Sequence, residues 1–308
     1  MKTNVTVILC THKYVKYAKQ QIISIKNQIN VNINLVVSID SNDISVIEKW
    51  IDLLDSYFSK DDYIILKGPQ KGFSSNFINA IIKSNCSSEY MAFSDHDDIW
   101  DKNKLYVAIN SIKDLNNNDS PILYGSRTRY IDDSNNFITY SNMLCKPLGF
   151  QNALVQCFAG GNTMVFNKSL YSLITEIGFI NVKSHDWWLY IVTTATGGKV
   201  IFDKNPYISY RQHENNVSGG NKSIYQVLYR VKSLISGDFR DWNKSNIYYL
   251  SNHKKLLNFK NNKILNDFVK VQDGNIFERF FYFFTSGIYR HSFLDNIAIF
   301  LCALFKRL

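Results

Sequence analysis

The chain has 308 residues, of which 45% are hydrophobic and 15% aromatic, and its formal net charge is +9. This apolar content supports a buried core and excludes a largely disordered chain, while the length allows one large α/β domain with an appendage. The charge is uneven, because residues 1–220 carry 21 Lys/Arg against 20 Asp/Glu whereas residues 221–308 carry 14 against 6. Such asymmetry indicates either an anionic partner for the last third of the chain or a solvated basic face.

The five cysteines are irregularly spaced and form no C-x-x-C pair. Neither a zinc cluster nor a disulfide framework is therefore predicted, and reduced thiols indicate a cytosolic protein. Met1 and Lys2 lead directly into an apolar run of about six residues, which is too short for a signal-peptide core. A late apolar run, 297–305, is much shorter than the roughly 20 residues that span a bilayer.

Apolar, β-rich runs alternate with helical patterns through the first hundred residues. The predicted strands are 5–10, 35–39, 63–66 and 90–93. The predicted helices between them are 15–28, 44–58 and 76–84. This alternation predicts an α/β fold with a parallel sheet and helices on both faces, in which ligands bind beyond the carboxyl ends of the strands.

The pattern changes character near residue 220. Up to that point the predicted elements are a helix at 102–115, a strand at 122–130, a β segment at 163–166, a helix at 186–196, and strands at 199–202 and 207–210. After Gly219-Gly220 the sequence becomes helical and basic to the end. We therefore predict a first domain over 1–220 and a helical, basic extension over 221–308.

Three carboxylates follow the fourth predicted strand, at Asp95, Asp97 and Asp98. Acids this close repel one another unless a cation compensates them. Their hard oxygen ligands suit Mg²⁺ or Mn²⁺, which commonly bridge a carboxylate and a substrate diphosphate. The alternative is a helix N-cap before 102–115, but Asp101 alone could serve as that cap. The spacing favours a metal site.

The same segment carries a family resemblance. Phe93-Ser94-Asp95-His96-Asp97-Asp98-Ile99-Trp100, followed by Lys104-Leu105, resembles the D-x-D segment of family 2 glycosyltransferases, especially the rhamnosyltransferase-like branch. Further marks occur in the family's order at Thr11, Asp40, Gly72 with Asn76, Ser184-His185-Asp186-Trp187-Trp188, and Tyr210-Arg211-Gln212-His213-Glu214-Asn215-Asn216. The resemblance covers residues 4–220.

The resemblance implies a GT-A fold, in which a mostly parallel, Rossmann-like sheet is flanked by helices. Residues 1–100 would form the nucleotide-binding half and 101–220 the acceptor half. The implied reaction is an inverting, metal-dependent transfer of a sugar onto a saccharide or polyprenyl-linked acceptor in bacterial surface polysaccharide synthesis. The leading donor is dTDP-rhamnose, and a UDP-hexose is the alternative.

The resemblance also assigns roles to individual residues. Asp186 is the expected general base, which removes the proton of the acceptor hydroxyl; its other reading is a cap of the helix that starts at Trp187. The residues expected at the donor are Thr11, Asp40, Lys71, Asn76, Asp95, Arg211 and His213. Those expected at the Mn²⁺ or Mg²⁺ ion are Asp95, Asp97 and His213. Those expected at the acceptor are Gly161, Trp187 and Trp188.

Two other classes of function compete with this prediction. A sugar-phosphate nucleotidyltransferase shares a similar strand order, but it normally has a glycine-rich loop after the first strand, and residues 11–14 contain no glycine. A non-catalytic membrane scaffold would keep the fold without turnover, and the intact acids argue against it.

The end of the chain predicts a surface partner. Residues 276–284 and 292–305 are rich in Phe, Leu and Ile, with Arg and Lys interspersed. Apolar helices with positive charge are typical of segments that lie in a membrane interface, and a homodimer through the same face is the competing hypothesis. No nucleic-acid motif is present, so no such partner is predicted. The predicted location is cytoplasmic, peripheral on the inner face of the cell membrane.

Overall fold

The computed structural model describes residues 2–115, 119–212 and 237–308. These residues divide into two compact units. The first consists of the described residues within Met1–Met143, Ala159–Asp186 and Lys199–Asn216, and the second of those within Leu144–Phe158, Trp187–Gly198 and Val217–Leu308. The predicted boundary near residue 220 stays a prediction, since it falls outside the described residues.

The first unit is built on a nine-stranded sheet within the described part of the chain. Its strands are β1 (Thr3–Thr11), β2 (Val31–Ile39), β3 (Tyr63–Lys67), β4 (Tyr90–Ser94), β5 (Ile99–Trp100), β6 (Ile122–Ile131), β7 (Phe137–Tyr140), β8 (Val165–Asn167) and β9 (Lys199–Arg211). They lie in the order β3-β2-β1-β4-β8-β6-β9-β5, with β7 paired to β6.

The first four strands in this order are parallel, and their register determines where ligands can bind. Thr11 pairs with Ile39, and Ile39 pairs with Lys67, so the carboxyl ends of β1, β2 and β3 meet at one edge of the sheet. β4 is parallel to β1 and ends beside it. β8 then runs antiparallel between β4 and β6. The residues that follow β1 to β4 therefore converge.

The helices of both units complete the described structure. They are α1 (Ala18–Lys26), α2 (Ile44–Asp55), α3 (Phe73–Lys83), α4 (Lys104–Lys113), α5 (Phe150–Ala153), α6 (Lys168–Ile177), α7 (His185–Ala195), α8 (Asp238–Asn252), α9 (Phe259–Asp273), α10 (Ile276–Ser286) and α11 (Phe293–Leu304). Leu9 of β1, Ile22 of α1 and Trp50 of α2 share one buried core with Leu105 of α4. Helices pack on the parallel strands, and the carboxyl-terminal parts of β1 and β2 are buried.

Most predicted elements are present with shifted ends, and β9 is the main correction. It is one continuous strand rather than the two predicted at 199–202 and 207–210. The polar middle of β9, around Pro206, resembles a turn in the sequence. It nevertheless pairs with β6, because the register shifts near Arg127 let the ladder continue. The short strands β5 and β7 and the helices α5 and α6 were not predicted.

The second unit is helical where it is described. Leu265, Phe268 and Val271 of α9 are buried in it. The Asn261 side chain donates hydrogen bonds to the carbonyl oxygens of Thr194 and Ala195, and so satisfies the C-terminal end of α7. Across the described residues, none of the helices has both the length and the apolar character needed to cross a membrane.

Candidate active site

The first part of the candidate site lies where β1, β2 and β3 end. The Asp40 amide donates to the Thr11 carbonyl oxygen at 2.7 Å, and the Asp40 carboxylate accepts from the Gln70 amide. A Cβ on Gly68 would lie 2.7 Å from the Asp40 Cα, so only glycine allows this close approach. The structure thus brings together Thr11 and Asp40, two of the residues predicted to contact the donor.

Asn76 has a structural role in the described protein, and its predicted donor contact stays a prediction. Its side-chain oxygen accepts from Ser38 Oγ at 2.6 Å, and its amide nitrogen donates to the carbonyl oxygens of Ser38 at 3.1 Å and Thr11 at 3.5 Å. The side chain is buried. It therefore holds the ends of β1 and β2 in place. Lys71, by contrast, is exposed, and its ammonium lies 5.5 Å from the centre of the Phe179 ring.

Asp95, Asp97 and Asp186 share one electrostatic environment beyond β4. Burial raises the pKa of Asp95 to about 7, and the charges of Asp97 and then Asp186 add to this shift. Asp186 is 91 positions from Asp95 in the chain, so only the fold brings these carboxylates together. Three negative charges in such a half-buried group repel one another, and a bound cation would reduce this repulsion.

Asp98 differs from its neighbours because its oxygens are held by the protein. One oxygen accepts from Asn162 Nδ2 at 2.7 Å and the other from the Arg211 amide at 3.3 Å. Burial raises the pKa of Asp98 well above its usual range. Burial also lowers the pKa of Lys104 to about 7, and its ammonium lies 3.6 Å from the centre of the Trp100 ring. Asp98 anchors the loop and leaves Asp95 and Asp97 as the candidates for a ligand.

Arg211 also anchors this loop, and its predicted contact with the donor stays a prediction. Its guanidinium donates to the Asp97 carbonyl oxygen at 3.1 Å, to the Asp132 carbonyl oxygen at 3.1 Å and to Gln20 Oε1 at 2.8 Å. It is buried and lies 4.1 Å from the centre of the Tyr17 ring. Because these donor groups are directed at the chain itself, Arg211 is a positioning residue.

The Asp186 carboxylate is oriented from both sides. The Gly161 amide donates to one oxygen at 2.9 Å, and the Ser184 hydroxyl donates to the other. The neighbouring His185 ring is buried and stacks on Phe77 with 3.9 Å between ring centres. Burial lowers the pKa of His185 to about 4, so the imidazole is neutral near pH 7 and does not form an ion pair with Asp186.

Gly161 cannot carry a side chain without moving this carboxylate. A Cβ at this position would lie 2.6 Å from His185 Nε2 and 3.2 Å from Asp186 Cβ. We expect Gly161→Ala to lower the free energy of unfolding by about 1–3 kcal/mol, the usual cost of overpacking, and to reduce activity. Thermal unfolding and the rate of sugar transfer measure the two effects.

A matched control is Gly149→Ala, because a Cβ there would meet no atom closer than 3.8 Å. This variant should keep the wild-type melting temperature. If Gly161→Ala kept both the melting temperature and the rate, the close approach of Gly161 to Asp186 would have no consequence.

The two tryptophans predicted to stack on the acceptor belong to the core of the second unit. Trp187 is buried, its indole nitrogen donates to the Ala153 carbonyl oxygen at 2.6 Å, and its ring stacks on Phe239 with 5.8 Å between centres. Trp188 is 1% exposed. Both indoles are buried in the described structure, which gives no support to stacking on a sugar, so their role at the acceptor stays a prediction.

Two histidines at the site were not predicted. His12 follows β1 and His96 lies within the acidic segment, and their rings meet edge to face with 6.2 Å between centres. Burial lowers the pKa of both, and Asp97 raises that of His96. Their positions directly after strand ends were the available signal. His213 lies outside the described residues, so its roles at donor and metal stay predictions.

The described residues contain no group of three or more His, Cys, Asp or Glu side chains placed to hold a metal ion. Asp95 and Asp97 nevertheless supply hard carboxylate oxygens, and burial followed by repulsion from Asp97 raises the pKa of Asp95. Mg²⁺ is usually bound by one or two carboxylates, with waters and substrate phosphates as its other ligands. The two carboxylates fit an ion whose remaining ligands come from a diphosphate.

The raised pKa of Asp95 predicts a pH-dependent effect on stability. The pKa is about 7 in the folded chain against 3.8 as the ordinary value, so stability falls as pH rises through this window. In metal-free buffer we expect Asp95→Asn to raise the free energy of unfolding by roughly 1–3 kcal/mol above the folded pKa, and to change it little below the ordinary pKa. Denaturant titrations of the wild type and the variant, at one pH above the folded pKa and one pH below the ordinary pKa, measure this difference. An equal effect at both would show that folding does not raise the pKa of Asp95.

An α/β fold with acids gathered at the carboxyl edge of parallel strands is typical of enzymes that act on phosphate-linked nucleotides. Residues 6–183, which are more than half of the chain, match the family model described as Glycosyl transferase family 2. The chain belongs to this family and is a glycosyltransferase, as its D-x-D segment predicted.

Related proteins agree with this assignment. The dTDP-rhamnosyl transferase RfbG of Shigella flexneri is 26% identical over 261 residues, covering 80% of this chain and 85% of the relative. An Escherichia coli protein, the UDP-Glc:alpha-D-GlcNAc-diphosphoundecaprenol beta-1,3-glucosyltransferase WfgD, is 29% identical over 187 residues, covering 58% of this chain and 68% of the relative.

The structure of S. aureus TarS 1-349 in complex with UDP-GlcNAc is similar in fold. It aligns with a TM-score of 0.52 at 13% identity, covering 97% of this chain and 90% of the TarS chain. The predicted GT-A fold with its C-terminal helical extension is confirmed.

Proposed function

We propose that this glycosyltransferase moves a sugar, with inversion, from a nucleoside diphosphate to an acceptor hydroxyl, and that Asp186 is the general base. The observation that carries the proposal is the shared environment of Asp186, Asp95 and Asp97. This shared environment supports a general base next to the proposed diphosphate site. Inverting transfer needs such an arrangement, because the acceptor attacks opposite the departing phosphate.

In the proposed step, the acceptor oxygen forms a bond to the anomeric carbon while the bond from that carbon to the diphosphate oxygen breaks. The acceptor proton passes to the Asp186 carboxylate, and the nucleoside diphosphate leaves with the bonding electrons. The Gly161 amide and the Ser184 hydroxyl hold the two carboxylate oxygens. Because each oxygen has a further lone pair, the carboxylate can accept a proton while it remains oriented.

The donor diphosphate would lie against Asp95 and Asp97. A divalent cation bound there would neutralise the diphosphate and make it a better leaving group. Asp98, Arg211 and Asn162 hold the loop that carries the two acids. Asp40 and Thr11 line the proposed nucleotide end of the site, at the neighbouring strand ends.

The proposed donor is dTDP-rhamnose. Similarity to the rhamnosyl transferase RfbG extends over 80% of this chain and supports that choice. A UDP-hexose is the second candidate, which the shorter similarity to the glucosyltransferase WfgD favours. WfgD acts on a GlcNAc-diphosphoundecaprenol, which supports a saccharide on a diphosphate-linked polyprenol as the acceptor. Such an acceptor belongs to the synthesis of a surface polysaccharide.

The test is to incubate the full chain with Mn²⁺ and a panel of donors, with a diphosphoundecaprenol-linked N-acetylglucosamine as acceptor. We expect nucleoside diphosphate release to be fastest with dTDP-rhamnose and to require the acceptor. Faster release from UDP-glucose would change the donor. Pyrophosphate as product would support the nucleotidyltransferase alternative, and no release from any donor would overturn the proposal.

A further inference from the structure

Helices α10 and α11 of the second unit expose an unusually apolar surface, here called the aromatic face. Its members are Phe277, Phe280, Phe281 and Phe284 on α10, and Phe293, Leu294, Ile297 and Leu301 on α11 with Phe305 after it. Within each helix these residues recur three or four positions apart, which places them on one side of the helix. Both stripes are exposed.

The two stripes form one continuous surface. The ring of Phe300 on α11 lies 6.0 Å from Phe280, 5.0 Å from Phe283 and 5.8 Å from Phe284, between ring centres. Phe280 and Phe284 are themselves exposed. Two of the residues that contact Phe300 therefore also belong to the exposed stripe of α10, and the aromatic face spans both helices.

The most exposed members of the aromatic face are largely open to solvent. Phe277 is 83% exposed, Phe293 is 78% exposed and Leu294 is 74% exposed. Large contiguous apolar patches are rare on monomeric proteins and mark surfaces that bind a protein or a membrane. This face is therefore expected to be covered when the protein works.

Positive charge lies at the end of this face. Lys306 and Arg307 follow Phe305 directly and are exposed, and neither forms an ion pair within the described residues. The Arg279 guanidinium, on α10, donates to the Leu304 carbonyl oxygen at 2.9 Å and so adds a third cation at the same end of α11.

The acids of the two helices do not offset this charge at the same place. Glu278 accepts from the Asn275 amide at 2.9 Å in a capping box and lies 3.6 Å from the Lys270 ammonium. Asp295 is in the first turn of α11, at the opposite end from Lys306. The cationic end of α11 therefore remains positive.

We propose that the aromatic face docks on a lipid bilayer that contains anionic headgroups. Phe and Leu side chains enter the boundary between headgroups and acyl chains, and Lys306 and Arg307 bind lipid phosphates. A bilayer is preferred to a second copy of the chain because anionic headgroups would supply the negative charge that Lys306 and Arg307 do not find in an ion pair within the described residues. The inference goes beyond the proposed function and does not depend on donor or acceptor.

The test is co-sedimentation of the full chain with vesicles of phosphatidylcholine mixed with phosphatidylglycerol, and with vesicles of phosphatidylcholine alone. We expect binding to the mixed vesicles that weakens without phosphatidylglycerol. The double variant Phe277→Gln/Phe281→Gln should bind at least about tenfold more weakly, since two exposed aromatic rings no longer enter the bilayer. Lys306→Gln/Arg307→Gln should lose the preference for phosphatidylglycerol.

Phe259→Gln is the matched control, because Phe259 is 89% exposed but is the first residue of α9, outside the aromatic face. It should bind vesicles like the wild type, and all variants should keep the wild-type melting temperature. No binding to either vesicle, or equal binding by the Phe277/Phe281 variant, would overturn the proposal. The proposal would also be overturned if light scattering showed a dimer, if the Phe277/Phe281 variant dissociated it, and if the wild type did not bind vesicles. No substrate is present, so failure here would leave the proposed transfer reaction untouched.

Discussion

Replacing Asp186 with asparagine should reduce the rate of sugar transfer by about 10²–10⁴-fold, the usual contribution of a general base, and leave donor affinity unchanged. Asparagine keeps the size of the side chain, and its oxygen can still accept from the Gly161 amide, 2.9 Å away in the wild type. It cannot take up the acceptor proton. Single-turnover transfer and isothermal titration with the donor measure the two quantities separately.

The control is Asp61→Asn, an exposed acid in a short helical turn before β3. It should transfer sugar at the wild-type rate. Because the charge of Asp186 contributes to the raised pKa of Asp95, Asp186→Asn should also lower the pKa of Asp95. A wild-type rate in Asp186→Asn would show that another group takes the proton, and Asp186 would then be a cap of α7.

Replacing Asp97 with asparagine should reduce the efficiency of transfer on the order of 10²–10³-fold and raise the Mn²⁺ concentration needed for half-maximal rate. The carboxylate would lose its charge, whereas the Asp97 carbonyl oxygen would keep its bond from Arg211 at 3.1 Å. The loop should therefore stay in place. Rates measured over a Mn²⁺ titration test this, with the melting temperature as the check on folding.

Asp98→Ala provides the contrast, because Asp98 is bonded to Asn162 and to the Arg211 amide. Its removal leaves those two donors without their acceptor, which should lower the free energy of unfolding by about 1–3 kcal/mol. A change in Mn²⁺ dependence for Asp98→Ala but not for Asp97→Asn would reverse the roles assigned to the two acids.

The strands and the order of motifs could be read from the sequence because their signals are local. β1 to β4 are short apolar runs between helical patterns, and their polar successors, such as Asp40 and Asp95, are adjacent in the chain to the strand that positions them. Parallel pairing then brings these successors to one edge without further information. The same locality made His12 and His96 available as signals, although neither was predicted.

The roles of other residues depend on partners that are remote in sequence. Asp98 and the Arg211 amide are 113 residues apart, and Asn76 and the Thr11 carbonyl oxygen are 65 apart. A motif shows that an acid, an arginine or an asparagine is present. It does not show which hydrogen-bonding groups of that side chain are already bonded to other parts of the protein. Trp187 and Trp188 show the same for apolar side chains, because burial is a property of the packed unit.

Amino-acid order alone therefore sufficed for the α/β class, the family and the acids at the sheet edge, since each depends on periodicity or on neighbours along the chain. The folded structure decided that Asp98 anchors the loop, which leaves Asp95 and Asp97 as the candidates for a ligand. It also decided that Arg211 and Asn76 form hydrogen bonds with distant parts of the protein, and that the phenylalanines of α10 and α11 form one exposed face. Hydrogen bonding and burial are set by contacts between distant segments, and these exist only once the chain has folded.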